Sequence, residues 1–141
     1  MTAPRAGRNL GAVKRAHPST SNLIVVVTTV GTQEQALDIA HHLVRSRLAA
    51  CVNIVPGIRS VFRWKGKVDD ETEFMLLAKT VEANFEVVKD EIRKLHAYEL
   101  PEILGYPVPF AEKAFASWIV ESSDGAETED EPDADEERVA D

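Results

Sequence analysis

The residues of this sequence that could do chemistry are a single cysteine, a lysine and a short polar segment that follows a helical pattern. They are Cys51, Lys79 and His96-Ala-Tyr-Glu-Leu-Pro-Glu102. A thiolate and an imidazole together suit a soft or borderline ion such as copper or zinc. Two protein ligands are fewer than the four of a closed zinc site. We therefore expect Cys51 and His96 to bind a divalent metal weakly, with water, a carboxylate or a neighbouring subunit completing the site.

The same two residues have two other interpretations. Cys51 and His96 could act as nucleophile and base in an enzyme. They could also be a buried strand cysteine and a polar helix end with no ligand, which is the commoner case because cysteine is among the most buried residue types. The sequence contains no Gly-rich phosphate loop, HExxH motif, paired-cysteine zinc spacing or GxSxG elbow. We expect no catalytic activity.

Two further pairs of residues stand out by type. Asp38 and His42 are four residues apart on one helix face and could bind a surface metal. On a charged helix face such a pair is usually solvated, so we predict no site there. Trp64 and Trp118 are expected to be anchors of the core or of subunit contacts, because large aromatic side chains dominate both.

The elements that must position these residues begin with a strand and an amphipathic helix. Leu23-Ile-Val-Val-Val-Thr-Thr-Val30 is β-branched almost throughout and predicts a buried central strand, which Gly31 breaks. Thr32 and Gln35 have the spacing of a capping box, in which Gln35 reaches back to the cap. Apolar residues then recur at helical spacing and predict the first helix: Ala36, Ile39, Ala40, Leu43, Val44 and Leu48.

A long hairpin follows this helix. Ala50 to Val55 and Arg59 to Trp64 are typical of one strand with a bend or bulge at Pro56-Gly57. The chain turns at Lys65-Gly66-Lys67 and returns from Glu73 to Thr80. Because this hairpin is longer than a domain of this size usually needs, we expect its ends to pair with another chain.

The C-terminal half predicts a helix, a short strand and a last helix. The second helix carries an apolar face at helical spacing and cannot continue through Pro101. Ile103 to Val108 predicts a short strand, and Ala111 to about Ser122 predicts the last helix. The face of the second helix consists of Phe85, Val88, Ile92 and Leu95.

The element order β-α-β-β-α-β plus a helix predicts an α+β domain of the ferredoxin-like type over residues 22–123. Two helices on one face leave the other sheet face bare, and the hairpin is too apolar to stay in water. We therefore expect a homo-oligomer. The same order occurs in RNA-recognition domains, but here the run Glu73 to Lys79 is aliphatic and the domain is slightly acidic. We expect no nucleic-acid binding.

Two charged tails flank the domain. Residues 1–21 contain four basic residues and no acid, whereas residues 124–141 contain ten acidic residues against Arg138 alone. Both tails are predicted to be disordered, because they lack apolar residues that could offset the entropy of ordering. The acid-free N-terminus is also compatible with organelle targeting, although it shows no amphipathic pattern and no apolar h-region for secretion. No run approaches the roughly 18 apolar residues of a membrane span. With its lone cysteine, we expect a cytoplasmic protein that contacts no membrane.

With these segments in place, the sequence resembles the CutA divalent-cation-tolerance family over residues 22–123. The resemblance rests on several separate segments that occur in the right order. They are Leu48-Ala-Ala-Cys-Val-Asn-Ile54 with Pro56, Ser60 through Trp64 with Gly66, Glu73 with Lys79-Thr80, His96 through Glu102, and Trp118.

The resemblance implies a ferredoxin-like protomer that forms a tight homotrimer, with a role in divalent-cation tolerance, copper binding and no established catalysis. Cys51 and His96 match the family's metal-site candidates. The residues expected in the cleft between protomers are Lys79, Tyr98, Glu99 and Glu102. The trimer is also similar to PII-type signalling proteins. A second interpretation is therefore a signalling or scaffold trimer that binds a small anion in this cleft through Lys79.

Three positions depart from the family pattern. Ala97 stands where the family usually has proline, which is expected to loosen the turn that aims His96. Phe62 replaces a tyrosine and removes a hydroxyl group from the hairpin. With Cys51 as the only cysteine, one chain cannot form a site with several thiolates. These departures favour weak rather than tight metal binding.

Overall fold

A computed structural model describes residues 22–126 of the chain. It begins with the buried strand β1, Leu23–Val30, and the helix α1, Gln33–Arg45, both close to prediction. Thr32 caps the helix by accepting a hydrogen bond from the Gln35 backbone N–H at 3.1 Å. The other half of the predicted capping box is wrong. The Gln35 side chain contacts the end of the second helix instead of reaching back to Thr32.

The long hairpin consists of β2, Cys51–Trp64, and β3, Lys67–Val81. The predicted bulge is confirmed, because the register of the two strands shifts around Gly57, whose φ is 73°. The turn is formed by Lys65 and Gly66, which both have positive φ, as a type I′ hairpin turn requires. The returning strand starts directly after this turn and earlier than predicted, because its exposed first half lacks an alternating apolar pattern.

The second half of the chain follows the predicted order. A 3-10 turn, Glu82–Asn84, leads into α2, Phe85–Leu95. The short edge strand β4, Leu104–Pro107, precedes the last helix α3, Lys113–Ser122. α3 starts later than predicted because Glu112 is its N-cap, and the Glu112 carboxylate accepts hydrogen bonds from two N–H groups of the first turn. None of the helices within residues 22–126 is both long and apolar enough to cross a bilayer.

The strands form one four-stranded antiparallel sheet in the order β2-β3-β1-β4. This confirms the α+β class and the element order. α1 and α2 pack on one sheet face around an aliphatic core: Ile24, Val26, Val30, Ala36, Ile39, Leu43, Leu76, Ala78, Val88 and Ile92. The expectation of a bare opposite face is wrong at one end, where α3 packs. A second cluster there consists of Leu23, Ala50, Ala116 and Ile119.

The contacts of the domain continue beyond Ser123, the predicted boundary. Asp124 accepts a hydrogen bond from Arg47 Nε at 2.7 Å, and the Gly125 N–H donates to the Arg47 carbonyl oxygen at 2.9 Å. The first residues of the acidic segment are thus held against the loop that follows α1. The predicted disorder of the rest of both tails concerns residues outside the described range.

Candidate functional site

The strand register fixes where the predicted metal ligands lie. Cys51 is directly opposite Lys79 on β3, and Lys79 is opposite Val25 on β1. His96 follows α2 and is hydrogen bonded to Thr29, near the other end of β1. Val25 and Thr29 are four residues apart on β1, which is about 13 Å along the strand at the usual rise per residue. The structure therefore does not bring Cys51 and His96 together within one chain, either as metal ligands or as nucleophile and base.

Cys51 and Lys79 lie side by side on the sheet face that α3 partly covers. Cys51 is a free, partly exposed thiol, and its Sγ lies 3.7 Å from Asn53 Oδ1. Directly opposed residues of antiparallel strands point to the same face. Lys79 accordingly reaches α3, where its Nζ lies 5.7 Å from the centre of the Phe115 ring.

Both ring nitrogens of His96 have partners within the chain. Nε2 lies 2.8 Å from the Thr29 carbonyl oxygen, and Nδ1 accepts a hydrogen bond from the Tyr98 N–H at 3.1 Å. These contacts assign the neutral tautomer with its proton on Nε2. Burial lowers the pKa of His96, although the Thr29 bond and the charge of Glu73 act in the opposite direction. The imidazole satisfies a β1 carbonyl group just past the end of the pairing with β4.

Gln35 on α1 anchors the turn that follows α2. Its Nε2 donates to the Leu95 carbonyl oxygen at 2.8 Å, and its Oε1 accepts from the Ala97 N–H at 2.9 Å. A proline at position 97 has no N–H to donate. Ala97 therefore forms a contact that the proline of the family pattern cannot form, and its presence does not leave the turn unanchored.

Tyr98, which is 38% exposed, is paired with the buried Glu73 beside His96. The Tyr98 hydroxyl donates to Glu73 Oε2 at 2.6 Å, and Glu73 is only 4% exposed. Burial and the neighbouring carboxylate raise the pKa of Tyr98, so its hydroxyl remains a donor. A Cβ at Gly31 would lie 3.2 Å from the Tyr98 hydroxyl oxygen, so the residue after β1 has to be small.

The other predicted cleft residues are spread over a wider surface. Glu99 forms an exposed ion pair with Lys65 at 3.4 Å, which contributes little to stability. Partial burial raises the pKa of Glu102, and the charge of Glu73 raises it further. Tyr98 and Glu102 are thus grouped around Glu73, whereas Lys79 lies near the opposite end of the sheet, across from Val25.

Two residues of this region, Glu73 and Gln35, carry no site prediction from the sequence. The sequence places Glu73 at the start of a strand, but an acid beside the apolar run Phe74 to Ala78 is a signal that a polar partner is buried with it. Gln35 was assigned to a helix cap. Its contacts are with residues about sixty positions away, and no local pattern indicates them.

The two tryptophans lie at the surface of the single chain. Trp64 ends β2 and is half-buried, with Lys65 Nζ 5.5 Å from its ring centre. Trp118 is 40% exposed and packs against Phe115 at 5.3 Å between ring centres. Their role in trimer contacts stays a prediction. Other exposed apolar side chains of the hairpin and of the segments near α3 are Val61, Phe62, Val68, Leu104, Tyr106 and Phe110.

The described part of the chain does not form a closed metal site. Within residues 22–126, no three His, Cys, Asp or Glu side chains are grouped so that they could hold a metal ion. Of the two predicted ligands, Cys51 is a free cysteine whose thiol donates one weak hydrogen bond to Asn53 Oδ1, and both ring nitrogens of His96 have hydrogen-bond partners. His42 pairs with Glu91 of α2 at 2.7 Å.

Comparison with known proteins identifies the family of this chain. The sequence profile described as "CutA1 divalent ion tolerance protein" matches residues 24–122. The chain belongs to the CutA1 family. The CutA divalent-cation tolerance protein of Thermus thermophilus is 42% identical over 99 residues, which are 70% of this chain and 96% of that protein. The chloroplastic CutA of Arabidopsis thaliana is 37% identical over 100 residues, which are 71% of this chain and 55% of that longer protein.

Solved CutA structures share the fold. The Thermus thermophilus structure has a TM-score of 0.70 and 42% identity, and the match covers 72% of this chain and 98% of that one. The Archaeoglobus fulgidus structure, named a periplasmic divalent cation tolerance protein, has a TM-score of 0.70 and 38% identity over 72% of this chain and 99% of that one. These CutA proteins are named for tolerance of cations, and their names state no reaction.

Proposed function

We propose that this protein is a homotrimer that takes part in the response to divalent metal ions and binds Cu²⁺ weakly and reversibly through Cys51. The observation that carries the proposal is the partly exposed, free thiol of Cys51 in a chain of a divalent ion tolerance family. Thiolates are ligands that copper favours. Because residues 22–126 of one chain offer too few donors to close a site, water or groups of a neighbouring protomer complete it.

His96 enters this proposal as a ligand between protomers, since it is remote from Cys51 of its own chain. Nδ1 is the nitrogen that a metal would take, at the cost of the hydrogen bond from the Tyr98 N–H. Nε2 would then keep its proton and its bond to the Thr29 carbonyl oxygen. A second hydrogen bond of this kind commonly orients a metal-bound imidazole.

Titration of the full-length wild type, Cys51→Ser and His96→Ala with Cu²⁺ and with redox-inert Zn²⁺ tests the metal site. We expect a thiolate-to-copper charge-transfer band in the wild type and a lower Zn²⁺ affinity in both variants. The acidic tail is present in every sample and gives no such band. A wild type without the band, or equal Zn²⁺ affinity in wild type and Cys51→Ser, would contradict the proposal.

The homotrimer is supported by the exposed apolar side chains of the hairpin and of the edge strand β4. The ferredoxin-like assignment of the protomer is supported by the sheet order β2-β3-β1-β4. Sedimentation equilibrium should give three times the chain mass of 15.6 kDa. A monomer at micromolar concentration would rule the trimer out.

The proposed location is the cytoplasm, which the lone cysteine favours. Two relatives are named for other places, the chloroplast and the periplasm. Fractionation of cells that express the full chain at native level distinguishes these compartments, and recovery from the periplasm or an organelle would contradict the proposal.

A second function, the binding of a small anion at Lys79, is favoured by one observation. Lys79 forms no ion pair with any carboxylate of residues 22–126. Thermal-shift screening of small anions against metal ions separates the two functions, because a ligand stabilises in proportion to its binding to the native state. Stabilisation by metals alone would exclude the anion function.

A further inference from the structure

A cavity of about 240 Å³ lies beside Lys79, between β1, the segment that joins β4 to α3, and the first turns of α3. Its walls are mainly apolar, and they include Val25, Val108, Phe115 and Ile119. The charged residues of its lining are Lys79 and Glu112. The cavity thus combines an apolar body with polar groups in few places, as small-molecule sites do.

The two charges of the cavity lining are not equivalent. The Glu112 carboxylate is committed to the backbone N–H groups of Ala114 and Phe115, and these bonds lower its pKa. The Lys79 ammonium has the Phe115 ring as its partner and no carboxylate within the described residues. A cation–π contact is a weak interaction and leaves the charge uncompensated. The cavity therefore presents an ammonium group without an ion-pair partner beside apolar walls, while the Glu112 carboxylate is neutralised in part by the helix N–H groups that it accepts from.

We propose that this cavity binds a small amphipathic carboxylate, with the carboxylate group on Lys79 Nζ and the apolar body against Val108 and Phe115. The inference deepens the anion function proposed above and rests on it. A volume of about 240 Å³ is below the range usual for drug-sized ligands. It suits an aromatic or branched-chain acid and is too small for a nucleotide.

Both parts of such a ligand are needed. An inorganic anion would reach the ammonium group but leave the apolar walls in contact with water. A neutral apolar molecule would cover the walls and desolvate the ammonium group without a counter-ion. A competing occupant is a second copy of the chain, since Phe110 in the cavity lining is 90% exposed. Charge complementarity at Lys79 favours the carboxylate.

Amide NMR of the full-length protein, titrated with three probes, tests the inference. Phenylacetate carries both parts, acetate lacks the apolar body, and 2-phenylethylamine reverses the charge. We expect saturable shifts at Val25, Val108 and Phe115 with phenylacetate, and at least about tenfold weaker binding of the other two, as expected for loss of a charged contact. Equal binding of acetate would keep the anion function and refute the amphipathic class. No shifts with any anion would refute both, and shifts that depend only on dilution would assign the cavity to a second copy of the chain.

Matched lysine variants locate the charge. Lys79→Met keeps the length of the side chain and removes its charge, and it should weaken phenylacetate binding about tenfold or more. Lys113→Met is the control, because Lys113 is exposed at the start of α3 and outside the cavity lining. The affinity of Lys113→Met for phenylacetate should stay within about twofold of that of the wild type. Equal losses in both variants would show nonspecific attraction. Val108→Phe, which fills the cavity and keeps Lys79, should also abolish binding, and retained binding there would place the ligand elsewhere.

Discussion

At the scale of single residues, His96 joins the turn after α2 to β1 through a hydrogen bond to Thr29, together with a hydrogen bond and a ring contact to Tyr98. Removal of the imidazole leaves the Thr29 carbonyl and the Tyr98 N–H without their partners. We expect His96→Ala to lower the free energy of unfolding by about 2 kcal/mol. Urea denaturation measures this loss. His41→Ala on α1 is the control and should stay within about 0.5 kcal/mol, and equal effects of the two variants would disprove the structural role.

The lowered pKa of His96 makes part of the stability depend on pH. Its pKa in the unfolded chain is near the usual 6.5 and exceeds that of the folded chain, so the unfolded state binds more protons in this window. The contribution is present above pH 6.5 and lost as the pH falls through the folded pKa. The raised pKa of Glu102 has the opposite sign, with stability lost as the pH rises above 4.5 through its folded pKa.

The single variant Glu102→Gln removes the opposing effect of Glu102. Its urea midpoint of unfolding should therefore be lower at pH 5 than at pH 7.5. It should fall less in the double variant with His96→Gln. Parallel curves would show that His96 does not titrate in this way.

Tyr98 matters chiefly through the carboxylate that it contacts. In Tyr98→Phe the buried Glu73 loses its hydroxyl donor, and a buried acceptor without a partner costs about 1–3 kcal/mol. Thermal and urea unfolding should show this loss. Tyr106→Phe is the control, since Tyr106 is 51% exposed on β4. Combination with Glu73→Gln should recover part of the loss, and strict additivity would mean that the pair does not interact.

At the scale of elements, the connection between α1 and α2 depends on the Gln35 side chain. Ala97→Pro removes the N–H that bonds to Gln35 but restricts the unfolded chain. His96, with φ −79° and ψ 137°, already has the extended conformation that precedes a proline. We expect Ala97→Pro to be close to neutral in the wild type and to stabilise a Gln35→Ala variant by about 0.5–1 kcal/mol. A double-mutant cycle measures the difference, and the same effect in both backgrounds would contradict it.

The elements differ in how far the sequence predicts them. β1, α1 and α2 were predicted well, because each buries a face whose apolar residues recur with the local period. The start of β3 was not predicted, because a strand that is exposed on both faces needs no alternation of apolar and polar residues. The placement of α3 and the distance between Cys51 and His96 depend on which strands are neighbours and on their register, and a local pattern contains neither. Gln35 was misassigned because its competing partner is distant in sequence.

At the scale of the whole molecule, the exposed apolar side chains near the hairpin turn predict that stability depends on assembly. We call this part of the hairpin, with Val61, Phe62 and Val68, the arm. Val61 is 66% exposed in the single chain, so Val61→Lys should cost little there but should prevent burial of the arm between protomers. We expect a lower mass in sedimentation and a melting temperature that no longer rises with protein concentration. Val87→Lys on α2, with 40% exposure in wild type, is the control. The same loss of mass in Val87→Lys would show a general effect of charge.

The space at Gly31 has a consequence for how the protein can vary. The glycine backbone there is not left-handed, so its small size is set by the Tyr98 hydroxyl oxygen, 3.2 Å from the position of a Cβ. Any side chain at Gly31 would require the Tyr98 hydroxyl to shift by a few tenths of an ångström, so a substitution at the end of β1 bears directly on the hydrogen bond between Tyr98 and Glu73.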